Sequence, residues 1–195
     1  MPLSPLRFLL FILLPYLLSL TSRAQTNPST VPEATLLYNV QLVDVRTGEV
    51  LPAPPATPQR AFTDAAGNSL TLHDLEGQVV VVNLWATWCA PCMEEMPSLA
   101  VLQRNFAGRI AVVPISVDSE GERDKAISEL RRLSGGSLPF LQDMTRGVLF
   151  DAQAAGMPVT IIYNRQGQEI ARLAGGANWG SEDASRLIEA VLAEQ

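Results

Sequence analysis

The chain has 195 residues, of which 47% are hydrophobic and 17% charged, with a formal net charge of −6. That length holds one ordinary domain with extensions, and that apolar content excludes a globally disordered chain. Acids outnumber bases by 20 to 14 and Lys125 is the single lysine, which excludes the basic surface that nucleic acid or an anionic membrane would require.

Met1 to Arg7 carries one positive charge and no acid, Phe8 to Leu20 is almost wholly apolar, and Ser22-Arg23-Ala24 ends on a small residue. This is the order of a secretory signal peptide, with cleavage expected after Ala24. Kept uncleaved, residues 8–20 would instead tether the chain to a membrane. The run is shorter than the roughly 20 residues a span needs, and Pro15 interrupts it. Cleavage would remove Arg7 and Arg23 and no acid, moving the formal charge from −6 to −8. Residues 25–59 read as a linker and N-terminal extension. Gln25 to Glu33 is polar and rich in Pro, Ser and Thr, and Leu36 to Val45 reads as a strand. Leu51 to Pro58 holds four prolines, which lack the backbone donor that a helix interior or a central strand requires.

The main domain is expected over residues 60–195. Phe62, the turn Asp64-Ala65-Ala66-Gly67-Asn68 and the alternating Ser69 to Leu72 predict a hairpin. His73 to Gly77 is a polar turn. Val79 to Leu84 has no polar residue except Asn83, the pattern of a strand buried on both faces. Met96, Leu99, Leu102 and Phe106 fall on one side of a helix that Gly108 ends, with Pro97 inside it as a kink. Ile110 to Val117 is a second buried strand. Strand, helix and strand together make a βαβ unit with parallel strands. Ala126, Ile127, Leu130 and Leu133 mark the next helix, terminated by Gly135-Gly136. Pro139-Phe140-Leu141 is a short extended piece, and Val148, Leu149 and Ala152 belong to a short helix. Pro158 opens a β-branched strand to Tyr163, and a turn at Asn164 to Gly167 returns it as an antiparallel partner. Ser181 caps a final helix whose core face is Ala184, Leu187, Ile188, Val191 and Leu192.

The chemistry concentrates at Trp85-Ala86-Thr87-Trp88-Cys89-Ala90-Pro91-Cys92, where the chain's only two cysteines stand at the strand-to-helix junction. Two intervening residues bring the thiols within bonding reach. Cys89 sits at the helix start, where unpaired N–H groups and the macrodipole favour a thiolate below the free value of about 8.5. Pro91 fits the first turn, where its missing N–H is not needed. One pair closing so short a loop restrains the unfolded chain little, so a purely structural bridge explains it poorly.

Trp85 to Cys92, Glu94-Glu95-Met96-Pro97, Val117-Asp118, Gly156-Met157-Pro158 and Asn178-Trp179 together resemble the TlpA/ResA-like exported group of the thioredoxin superfamily, over roughly residues 60–195. The resemblance implies an α/β fold, a mixed sheet flanked by helices, with Pro158 in the cis form beside the sulfurs. It also implies a thiol–disulfide oxidoreductase that needs no bound cofactor. Its partners would be protein substrates with disulfides and a membrane thiol transporter as electron donor, and its place would be the periplasm. Cys89 and Cys92 would be the catalytic pair, and Trp88, Met157 and Pro158 would line the substrate groove. Cytoplasmic thioredoxins carry a buried aspartate where this chain has Asn83. Proton transfer to Cys92 would then fall to Glu94, Glu95 or water.

Two other chemistries use the same residues. The two thiolates could hold Cu(I) with Met93, Met96 and Met157 as soft neighbours, making the protein a metallochaperone, though the only histidine, His73, lies outside the motif. A peroxiredoxin shares the fold but needs Thr-x-x-Cys, and the residue three before Cys89 is Ala86.

Overall fold

The computed structural model describes residues 56–193. The signal segment, the expected strand at residues 36–45 and most of the linker lie outside the described residues.

The described chain forms a seven-stranded mixed sheet. In chain order the strands are β1 (Phe62–Asp64), β2 (Ser69–Leu70), β3 (Val79–Trp85), β4 (Ile110–Ser116), β5 (Leu141–Gln142), β6 (Val159–Tyr163) and β7 (Glu169–Ala174). The helices are α1 (Ala90–Asn105), α2 (Arg123–Ser134), α3 (Gly147–Asp151) and α4 (Glu182–Ala193). Across the sheet the order is β2-β1-β5-β4-β3-β6-β7.

The four consecutive valines at the start of β3 explain its central place. Every residue of β3 is buried, so no face of it meets water. It pairs in parallel with β4 through α1, as the βαβ reading predicts, and antiparallel with β6. Because side chains alternate along a strand, β3 sorts its residues between two cores. Val79, Val81 and Trp85 point into a cluster with Met96, Leu99 and Leu102 of α1, Leu130 of α2 and Ile188 of α4. Val80, Val82 and Leu84 point to the other face, toward Phe62, Val113, Ile115, Val148 and Ile161. Asn83 takes the α1 side by the same alternation.

Two expectations change in detail. The first hairpin forms, but its second strand is two residues long, and Leu72–Leu75 coil into a short 3-10 helix. Asp74 closes that turn by accepting from the Thr71 N–H at 2.7 Å and the Thr71 hydroxyl at 2.9 Å. The extended piece after α2 is also more than a connector. As β5 it joins β4 on one side and β1 on the other, and so adds the hairpin to the sheet. Pro97 lies inside α1, which runs through it. Gly135 ends α2 in the left-handed region at φ 63°, where glycine lacks the Cβ clash that other residues meet. Ser181 caps α4 as predicted, accepting the Ala184 N–H at 3.2 Å.

Candidate active site

β3 delivers the reactive loop. After Trp85 the chain turns once, with the Cys89 N–H donating to the Ala86 carbonyl at 3.1 Å, and α1 begins. Cys89 is the N-cap residue and Pro91 lies in the first turn. One helical turn on, Cys92 closes a disulfide with Cys89 across a Cα separation of 5.3 Å. The two sulfur residues differ in access: Cys89 is 7% exposed and Cys92 fully buried. Of the two, only Cys89 has any access to solvent.

The loop before Cys89 is pinned from β4. Asp118, fully buried just beyond that strand, accepts the Thr87 N–H at 3.0 Å, the Thr87 hydroxyl at 2.9 Å and the Ser116 hydroxyl at 2.8 Å. Val117 adds its N–H to the Trp85 carbonyl at 2.9 Å. The sequence marked Val117-Asp118 by resemblance but not this contact, whose partners lie 31 residues apart.

The Met157-Pro158 peptide bond is cis, as the resemblance implies. Its position follows from register. Val159 pairs with Leu84, which brings the start of β6 to the end of β3 from which the cysteine loop departs. The Gly175 N–H donates to the Pro158 carbonyl at 2.9 Å, and the turn needs glycine because its φ is 101°. Met157 is half-buried and packs on the core cluster that contains both cysteines. Trp88, next to Cys89, stays outside that cluster and is 54% exposed.

Glu94 and Glu95 separate on α1. Glu94 is exposed, whereas Glu95 is only 4% exposed and faces inward. Glu95 is three residues after Cys92 and thus on the same helix face. Its carboxylate accepts from Asn83 Nδ2 at 2.8 Å, the Ala177 N–H at 3.0 Å and Trp179 Nε1 at 3.2 Å. Asn83 also donates to Thr160 Oγ1 at 2.9 Å, across the β3–β6 pairing that sets these two residues opposite each other. Burial pushes the Glu95 carboxyl above its ordinary value of 4.5, against the three N–H donors that favour its charge. Asn83, Thr160 and Trp179 are thus part of the site although the motif reading singled out none of them as a site residue. The helical step from Cys92 to Glu95, continued to Leu99, was the signal that distinguishes Glu95 from Glu94.

Among the described residues no group of three or more His, Cys, Asp or Glu side chains stands close enough to hold a metal ion. Of the sulfur neighbours considered for copper, Met96 is wholly inside the core, while Met93 and Met157 are partly buried. No helix among the described residues is long and apolar enough to cross a membrane.

Comparison with known proteins agrees with this geometry. The AhpC/TSA family profile matches residues 52–170. The chain is 31% identical over 130 residues to the thioredoxin-like protein YneN of Bacillus subtilis (strain 168), covering 67% of this chain and 72% of YneN. It is 29% identical over 119 residues to the thiol-disulfide oxidoreductase ResA of the same organism, covering 60% of this chain and 65% of ResA. A crystal structure of a thiol:disulfide interchange protein of the thioredoxin family from Chlorobium tepidum TLS superposes with a TM-score of 0.58. That match covers 74% of this chain and 99% of the other at 19% identity, and so speaks for the fold alone. A thioredoxin-like sheet, a disulfide-forming cysteine pair at the start of its first long helix and these relatives agree on one assignment: the chain belongs to the AhpC/TSA family, as a thiol–disulfide oxidoreductase of the ResA type.

Proposed function

We propose that this oxidoreductase works reductively outside the cytoplasm, on disulfides of client proteins such as those of cytochrome c or cytochrome oxidase assembly. The observation that carries the reading is the unequal pair: Cys89 at a helix N-cap with some access, Cys92 sealed beneath it. In the reduced protein the Cys89 thiolate attacks one sulfur of a client disulfide. A Cys89–client bond forms, the client bond breaks, and the other client sulfur leaves as thiolate. Cys92 then loses its proton and attacks the Cys89 sulfur, which releases the second client thiolate and leaves the Cys89–Cys92 disulfide. Glu95 takes the proton from Cys92. Its place one turn along the same helix face supports that role, and so does the raised affinity for a proton that burial gives it. Glu94, in solvent, has no comparable support.

Trp88, Met157 and Pro158 form the client groove in this reading. Pro158 lacks a backbone donor, and the exposed Gly156 and half-buried Met157 just before β6 are where an extended segment docks. A reductant in an oxidising compartment has to be recharged, so a membrane thiol transporter supplies its electrons. Export rests on the signal-like residues 1–24, with residues 8–20 as a tether if they stay attached.

The test is a Cys92→Ser variant expressed in cells. It stalls the reaction at the mixed disulfide, so clients should be recovered covalently linked to Cys89, each with an exposed cysteine pair. Recovery of no linked protein while Cys89 still reacts with an alkylating reagent would overturn the reading. A midpoint potential near that of the strong oxidant DsbA, about −120 mV, would overturn its reductive direction.

A further inference from the structure

The rim of the site carries a cation that the exchange chemistry does not use. Arg146 lies in the loop between β5 and α3, and that loop is built rather than loose. Asp143 is buried at its start. Its carboxylate accepts the Thr145 N–H at 3.0 Å, the Thr145 hydroxyl at 2.7 Å and the Val148 N–H at 2.7 Å. The Asp143 N–H donates to the Ser116 carbonyl at 2.8 Å, and the Ser116 hydroxyl donates to Asp118, which pins Thr87. The loop bearing Arg146 and the loop bearing Trp88 and Cys89 are therefore fastened to the same end of β4.

The backbone at Arg146 is left-handed, with φ 58°. Glycine adopts that conformation freely and arginine does not. The glycine that follows serves a different need, since a Cβ on Gly147 would run into the side chain of Arg60. The strained turn sets the Arg146 guanidinium over the Trp88 ring, 5.9 Å from its centroid, within reach of a cation–π contact. Both residues are exposed. Arg60, Arg109, Arg132, Arg172 and Arg186 each face a carboxylate. Arg146 has no ion pair or hydrogen bond from its guanidinium among the described residues.

We propose that Arg146, held on Trp88, reads a carboxylate next to the attacked cysteine, so that preferred substrates are extended segments with Asp or Glu flanking their disulfide. The proposal rests on the exchange reading above. A guanidinium offers a planar fork of donors that a carboxylate matches, and stacking on an aromatic face leaves that fork open to solvent. Trp88 is the residue before Cys89, so whatever seats beside this pair is adjacent to the bond being exchanged.

The experiment follows reduction of two synthetic disulfide-bridged peptides by the reduced full chain at low ionic strength. The peptides differ only in one residue beside the attacked cysteine, Glu in one and Lys in the other. The wild-type chain should favour the Glu peptide in kcat/KM by about two- to tenfold, and salt should narrow the ratio. Arg146→Glu should invert the preference. Arg146→Gly suits the left-handed turn, so it keeps the loop without strain, and it should bring the two peptides to nearly equal rates. An unchanged ratio in both variants would overturn the proposal while leaving the exchange reading intact. No reduction of either peptide by the wild-type chain would overturn the exchange reading and the proposal with it.

Discussion

Two buried carboxylates stand beside the disulfide, Glu95 on α1 and Asp118 after β4, and their surroundings assign them different work. Asp118 takes its donors from Thr87 and from Ser116, two residues back along its own chain. Those bonds fix a backbone: they hold the turn that ends at Cys89. Glu95 takes its donors from three separate segments, through Asn83, Ala177 and Trp179. Burial outweighs those donors and moves its carboxyl toward the neutral form. The same functional group thus acts as a fastener in one place and, in the mechanism proposed above, as a proton carrier in the other, and the difference lies in what surrounds it.

The comparison breaks most visibly at Asp118. Asp118→Ala leaves a part-buried N–H and two hydroxyls, one of them fully buried, without their acceptor, and should lower stability by about 3 kcal/mol in a denaturant titration. A loss well under about 1 kcal/mol would show that the pin is not needed. Glu95→Gln should behave in the opposite way. The new side-chain oxygen can still accept from Ala177 and Trp179, and relief of the buried charge offsets the hydrogen bond lost at Asn83 Nδ2. Stability at neutral pH should then change by less than about 1 kcal/mol. Release of the client from the mixed disulfide should slow about 100-fold, as loss of a positioned acid–base group does. Equal rates in both proteins would remove Glu95 from the proton path.

The pH dependence of Glu95 has a definite sign. Its folded value is raised, so the folded chain binds this proton more tightly than the unfolded chain. The stability it contributes is full below about 4.5 and is lost as pH climbs through the raised value. Glu95→Gln should flatten the stability curve over that window. Trp179→Phe gives the smallest effect. It puts a smaller aromatic ring in the same place and removes one donor to the carboxylate, so the pH at which client release responds should move upward. A downward move would contradict the assignment of that hydrogen bond.

Much of this was readable from the chain itself. Four valines in a row specify a strand buried on both faces, and the alternation they start also decides that Asn83 and Trp85 face α1. The cysteine pair and Pro158 mark the candidate reactive end in the sequence itself. What stayed hidden was whatever depends on distant partners. Asp118 reaches Thr87 across 31 residues, and Glu95 reaches Trp179 across 84, distances no periodicity spans. Glu94 and Glu95 are neighbours of the same type, and only the helix phase, fixed by Cys92 and Leu99, tells the inward one from the outward one. β5 has two residues, too few for any alternation to register.

The outer strands of the sheet have a further consequence. On one side the border is β2, only two residues long. On the other it is β7, which carries the Glu169–Arg172 ion pair and a register shift where it meets Ile162 and Tyr163. Brevity, charge and an irregular ladder are the devices that keep a sheet margin from recruiting foreign strands into an aggregate. This fold can therefore present extended polypeptide with a reactive end without offering it a long flat margin on which to grow.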